Sequence, residues 1–333
     1  MAMLDLLMLF LMLLGLTVVA NLVEREGGDL YRRVFDWMLL AFTMPLLVAG
    51  VLLIMIPAST LVDLPGEVTA FMPNVMAAGF VLLSMGLWGV FVSFYQGRQL
   101  LARLLPLRPE SAVHGLALVF AGFLVGNSAF TLSQGGLEGM LETTYAASLI
   151  EVVSQQVLFM LLAFFGAGLL VRRDNESLNE RLGLKWVTWG QLWYGLKWIM
   201  VLALFQWTVS AIWAFVNPEQ LELLETISAE MFGDFDSVWD WFVLSLSAGV
   251  GEELLFRGAL QPVFGLTATS FLFAVAHVQY GITPITFVIL IIGFALGYIR
   301  IKTNTTVAIF VHFGYNFFIS MVALLASYAE QWL

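Results

Sequence analysis

Residues 37–56 read WMLLAFTMPLLVAGVLLIMI, twenty consecutive residues without a charge. At ~1.5 Å per residue a helix of that length is ~30 Å long, the thickness of the hydrocarbon core of a bilayer. The run has neither the polar stripe of a surface helix nor the period-2 alternation of a barrel strand. The same character recurs along the chain, which is 60% hydrophobic and 11% charged over 333 residues. An ordinary soluble domain is roughly half apolar and about a quarter charged. Apolar stretches at 6–23, 37–56, 68–94, 112–132, 145–171, 192–216, 238–256, 267–280, 284–299 and 305–326 mark ten candidate crossings. Lipid offers no partner to a free backbone N–H or C=O, so such runs fold as helices. The expected fold is all-α, a polytopic transmembrane bundle of about ten spans.

The first stretch is expected to be retained rather than removed as a signal peptide. It has no positive leading region, carries Asp5, and runs into Glu24-Arg25-Glu26 without a small-residue cleavage site. Basic residues give the orientation, because cytoplasmic loops collect Lys and Arg. Arg25, Arg32 and Arg33 follow the first span, Arg98, Arg103 and Arg108 the third, and Arg172, Arg173, Arg181 and Lys185 the fifth. Arg257 ends the seventh, and Arg300 and Lys302 follow the ninth. The intervening connections hold only acids: Asp63 and Glu67, Glu138 and Glu142, then Glu219 to Asp236. Both termini are therefore expected outside, and the protein in the plasma membrane. The polar segment 172–191 divides the chain into an N-terminal five-span region, 1–181, and a C-terminal region, 182–333. No internal repeat relates the two.

Composition excludes several function classes. With no cysteine, disulfides, thiol nucleophiles and cysteine-ligated metals are ruled out. A net charge of -10, from 24 acids against 14 bases, argues against nucleic acid as a partner.

An ionisable group inside a span costs roughly 2.5–3.5 kcal/mol on insertion scales, so each calls for a reason. Glu252-Glu253-Leu254-Leu255-Phe256-Arg257 ends the seventh span. Glu253 and Arg257, four apart, stack on one helical face and can pair, whereas Glu252 points about 100° away. The bland alternative is a set of interfacial acids balanced by one arginine. His277 closes Phe273-Ala274-Val275-Ala276-His277 in a short eighth span, which Thr267 and Thr269 can cap. A lone buried histidine is commonly a hydrogen-bonded structural residue. In the tenth span His312 and Asn316 lie one turn apart. Counting rise from the cytoplasmic ends places Glu252, His277 and His312 at similar depths, roughly 10–15 Å in. His114, the remaining histidine, reads as interfacial. Glu151 and Asn127 read as helix–helix hydrogen-bonding groups, and 219–240 as a solvated acidic loop with an amphipathic alternative.

A carboxylate facing a neutral imidazole can hold one water and take its proton as it attacks a carbonyl. Glu252 with His277 suits that role. The developing oxyanion needs donors, which His312 and Asn316 can supply.

These residues resemble a known family. Glu252-Glu253-x-x-x-Arg257, Phe273-x-x-x-His277 and His312-x-x-x-Asn316, in that order on successive spans, are similar to the signature of type II CAAX prenyl endopeptidases and bacteriocin-processing, abortive-infection-like membrane proteins. The resemblance covers about 182–325, with Gly183-Leu184 also typical, and leaves the first five spans outside. It implies an intramembrane endopeptidase in which Glu252 and His277 activate water, His312 and Asn316 form the oxyanion site, and Glu253 and Arg257 support them. The expected partners are the lipid bilayer and a peptide or protein substrate entering from the membrane or the cytoplasmic side. No cofactor is expected, the alternative being zinc on Glu252, His277 and His312. The sequence lacks the His-Glu-x-x-His of zinc peptidases, whose separate glutamate is the base. Two other functions compete: a non-catalytic immunity or binding protein on the same scaffold, and a proton-coupled transporter, for which internal repeats and broken helices are missing.

Overall fold

The computed structural model describes residues 2–57, 60, 72–143 and 146–330. Asp63, Glu67, the start of the 68–94 stretch and Tyr145 lie outside the described residues. Every regular element among those described is helical. In order they are α1 (Ala2–Glu26), α2 (Asp29–Met55), α3 (Val75–Ser93), α4 (Tyr95–Leu101), α5 (Ala112–Ser133), α6 (Gly136–Thr143), α7 (Leu149–Ala167) and α8 (Asn175–Leu182). There follow α9 (Trp189–Val216), α10 (Pro218–Phe232), α11 (Val238–Glu252), a π-helical turn (Glu253–Leu260), α12 (Gln261–Val275), a 3-10 turn (Val278–Tyr280), α13 (Pro284–Lys302) and α14 (Thr305–Glu330).

Among the described residues, eight helical runs are long and apolar enough to cross a bilayer, and one of them, Val238–Val275, has 38 residues. At ~1.5 Å per residue that run is about 57 Å, nearly twice the hydrocarbon thickness. It breaks at Gly265, whose φ of 78° and ψ of 175° lie outside the helical region and in one that glycine tolerates. Counting this run as two crossings and adding the 25-residue α1 is consistent with ten. Large apolar side chains cover the outside, among them Leu52, Phe80, Leu87, Leu204 and Phe215. The chain is an integral membrane protein.

Contacts between connections define two ends of the bundle. At one end Thr305 N–H donates to Gly183 O at 2.9 Å, Lys185 N–H to Thr306 Oγ1 at 3.1 Å, and Arg181 to Gly258 O at 2.8 Å. At the other, Ala147 N–H donates to Met231 O at 2.9 Å, and Gly281 packs so closely on Leu137 that a Cβ there would sit 2.8 Å from it. The path from Gln261 to Gly281 therefore crosses the bundle, and α13 returns.

Lipid supplies no hydrophobic drive between helices, so close backbone approach takes its place. A Cβ at Gly50 of α2 would lie 2.3 Å from Leu83 N of α3. Arg98 locks this corner, bonding both Asp36 carboxylate oxygens at 2.7 and 2.9 Å. The halves share one apolar core in which Leu116, Leu118 and Val119 of α5 join Phe256, Phe264 and Phe273.

The structure corrects three local expectations. The helix is interrupted at Gly265, just ahead of Thr267 and Thr269, but neither threonine caps the part that follows: Thr269 is buried with its hydroxyl unpartnered among the described residues. Residues 219–240 are not a solvated loop, because α10 forms there under an Asn217 cap with Leu224 and Ile227 buried. Leu221, Leu224 and Ile227 recur at the helical interval. Glu151 and Asn127 do not join helices: Glu151 closes a capping box with Ser148 at the start of α7, and Asn127 is exposed.

Candidate active site

Local sequence shapes the ground under the site. Ser237 and Asp240 form a capping box that starts α11. Gly249 and Gly251 then let α11 approach its neighbours, since a Cβ at either would fall 2.9 Å from Phe313 N and 2.5 Å from Gln156 Oε1. Beyond Glu252 the helix widens to a π turn, a form concentrated at functional sites. Pro262 has no N–H to offer the carbonyl of Gly258. Arg181 of α8 takes its place, donating to Gly258 O at 2.8 Å and Ala259 O at 3.3 Å. Burial and the nearby Arg173 lower its pKa to about 10, so it remains a cation at neutral pH.

Six residues singled out in the sequence gather here. His277 pairs Nδ1 with the Phe273 carbonyl at 2.8 Å. A carbonyl only accepts, so Nδ1 carries a proton, and in the neutral ring Nε2 keeps a lone pair. Nε2 faces Glu252 Oε2 at 3.7 Å. Among the described residues Oε2 has no hydrogen-bond partner. Two acceptors thus stand too far apart for a direct bond and close enough to share one donor molecule. Glu252 and His277 line a cavity of about 510 Å³ together with His312 and Asn316.

Glu253 and Arg257 lie behind this wall, both with 0% exposure. Glu253 Oε1 accepts from His312 Nδ1 at 3.0 Å, and Oε2 lies 3.3 Å from Arg257 Nε. The Arg257 guanidinium sits 4.4 Å from the Phe273 ring centre and donates to Gly293 O. Phe273 is the hub, with ring centres 4.7 Å from His277 and 5.8 Å from His312. Both histidines are set by one aromatic ring and a hydrogen bond each.

Some participants escaped the sequence reading. Gln156 of α7, 5% exposed, donates from Nε2 to Glu252 Oε1 at 3.4 Å. The available signal was the Gln155-Gln156 pair interrupting an otherwise apolar span. Tyr280 lies parallel to His277, centres 6.4 Å apart, and lines the cavity. Tyr315 does so too, donating its hydroxyl to Gln206. His114 is remote: it is buried near the start of α5 and accepts from Arg108 N–H at 2.9 Å.

The zinc alternative would use Glu252 Oε2 and the Nε2 atoms of His277 and His312. Among the described residues no three His, Asp or Glu side chains are grouped as ligands of one ion. The Nδ1 bonds of His312 to Glu253 and of His277 to the Phe273 carbonyl leave both Nε2 atoms free, the outer-shell arrangement that a metal-ligating histidine also has.

Residues 234–318 match the family model described as type II CAAX prenyl endopeptidase Rce1-like. That segment carries Glu252, Glu253, Arg257, His277, His312 and Asn316, in agreement with the motif resemblance. No curated protein and no solved structure matches the chain.

Proposed function

We propose that the chain is an intramembrane endopeptidase that hydrolyses a peptide bond with water activated by Glu252 and His277. The observation that carries this reading is the facing pair of acceptors, Glu252 Oε2 and His277 Nε2, 3.7 Å apart on a cavity wall. A water there donates one proton to each, and its oxygen attacks the scissile carbonyl carbon as one of those protons leaves. Asn316 and His312 face the same cavity and stabilise the oxyanion. For that task His312 turns Nε2 to the oxyanion, and its Nδ1 shares a proton with the buried Glu253 Oε1. Collapse of the intermediate breaks the C–N bond, and the proton held by Glu252 or His277 passes to the departing amine.

The reading is metal-free, with Glu252 as the base. It places the protein in the plasma membrane, basic connections inside and termini outside, with 182–333 as the catalytic region and 1–181 as its support. A peptide library incubated with purified wild type and Glu252→Gln tests the activity. Cleavage by wild type alone is expected. Equal cleavage by both removes the assignment, and a variant that keeps its biological effect without cleavage favours a binding or immunity protein.

A further inference from the structure

The cavity occupies a particular half of the bundle. Its floor is Glu252, His277 and His312. Its walls are the first turns of α13 from Ile285 to Ile292 and the later turns of α14 from Tyr315 to Ala323. Those turns lie away from the end where Gly183 meets Thr305. Its roof is α10, which contributes Leu221, Leu224, Glu225, Ser228 and Phe232. Exposure rises along this path, from buried Glu252 and His312 to exposed Glu225 and Ala323. Toward the basic end, the fully buried Glu253–Arg257 pair and Phe256 close the floor.

Away from the floor, Glu225 is the one charged side chain on the described lining, while His312 at the floor is backed by the buried Glu253. Among the described lining residues, Glu225 and Glu252 are the acids, and Lys and Arg are missing. Low-dielectric walls of one sign focus the field and raise the local concentration of the opposite charge. The cavity therefore repels a carboxylate and draws in a cation.

We propose that the reaction centre is loaded from the face carrying α10, opposite the basic connections, by a peptide segment with a basic group seated at Glu225 and apolar side chains against Ile285, Val288, Ile289 and Ile292. Only the identity of the occupant rests on the hydrolase reading; the entry face and its charge preference rest on the cavity. This differs from the cytoplasmic or lateral entry expected from the sequence. Helix α10 acts as a roof held at its far end by the Ala147–Met231 bond and by Phe232 packed on Phe235 and Trp241.

The chain has no cysteine, so single-thiol variants report access without background. Ser228→Cys marks the α10 face and Ser177→Cys the opposite one. Ser320→Cys, a near-isosteric change, and Ile292→Cys place thiols within the cavity. Each is treated in oriented vesicles with membrane-impermeant 2-(trimethylammonium)ethyl methanethiosulfonate or its 2-sulfonatoethyl analogue, with rates normalised to 2-mercaptoethanol. We expect both cavity thiols to react from the side that labels Ser228→Cys, with the cationic reagent at least about tenfold faster, and Glu225→Gln to cut that ratio severalfold. Reaction from the Ser177→Cys side, no reaction from either side, or equal or reversed charge preference overturns the proposal. Labelling needs no turnover, so a wild type that cleaves no peptide refutes the hydrolase reading while the entry face is still decided.

Discussion

Gln156 and Glu252, 96 residues apart in sequence, meet in the buried interior, where the glutamine amide donates to Oε1 at 3.4 Å and leaves Oε2 turned toward His277. A helix outside the family-matched segment thus orients the carboxylate proposed as the base. A hydrogen bond to a charged group contributes roughly 1.5–3 kcal/mol. Gln156→Leu should lower kcat about 10- to 100-fold with KM little changed, because the residue touches the base and not the substrate. Steady-state kinetics on purified protein with an unchanged gel-filtration profile checks this, and a loss confined to KM counts against it.

Glu252→Gln, His277→Ala and His312→Ala should each reduce cleavage at least ~10²-fold, since each removes about 3 kcal/mol or more from the barrier-lowering set. The effects should not add, because residues acting as one unit fail together. A Glu252→Gln/His277→Ala double variant is expected to resemble the worse single one. Multiplied losses would mean that the two act separately.

Glu253 and Arg257 are both fully buried. Arg257→Met leaves a carboxylate with only His312 as partner, and breaking a buried pair costs about 3–5 kcal/mol. Thermal unfolding in detergent should show a large drop for Arg257→Met and a smaller one for Glu253→Gln/Arg257→Met. A double variant as unstable as the sum of the singles would contradict the pairing.

The alternation of basic connections places Ser177 and Ser228 on opposite sides. Single cysteines at these positions should label from opposite faces of the membrane, with Ser228→Cys reactive from outside intact cells. Labelling of both from one side refutes the ten-crossing topology.

With Glu252 as the proposed base, active protein is expected to contain no stoichiometric zinc and to resist o-phenanthroline. Elemental analysis alongside activity provides the check. Zinc at one per chain, with chelator inhibition reversed by added zinc, would refute the glutamate-base mechanism and leave the peptidase assignment in place.

Much was legible from local pattern. Uncharged runs such as 37–56 dictate membrane helices, because a polypeptide in lipid must satisfy its own backbone groups. Glu253 and Arg257 declare their pairing by spacing, since residues four apart lie on one helical face. His277, His312 and Glu252 stand out because an ionisable group in lipid is expensive and the chain has only three histidines. Other features belong to the tertiary structure alone. No periodicity links Gln156 to Glu252, and nothing in the 253–262 stretch announces that Arg181, from the other side of the polar connection, caps the carbonyl freed by Pro262. Phe273 becomes a hub only when α12 and α14 pack around it, and α10 becomes a roof only when its Leu224 face meets the cavity. Local sequence determines which segments enter the membrane and which groups must find partners there; which partner each finds is decided by long-range packing, where close helix approach and the penalty on unpaired polar groups select among many contacts that local spacing cannot rank.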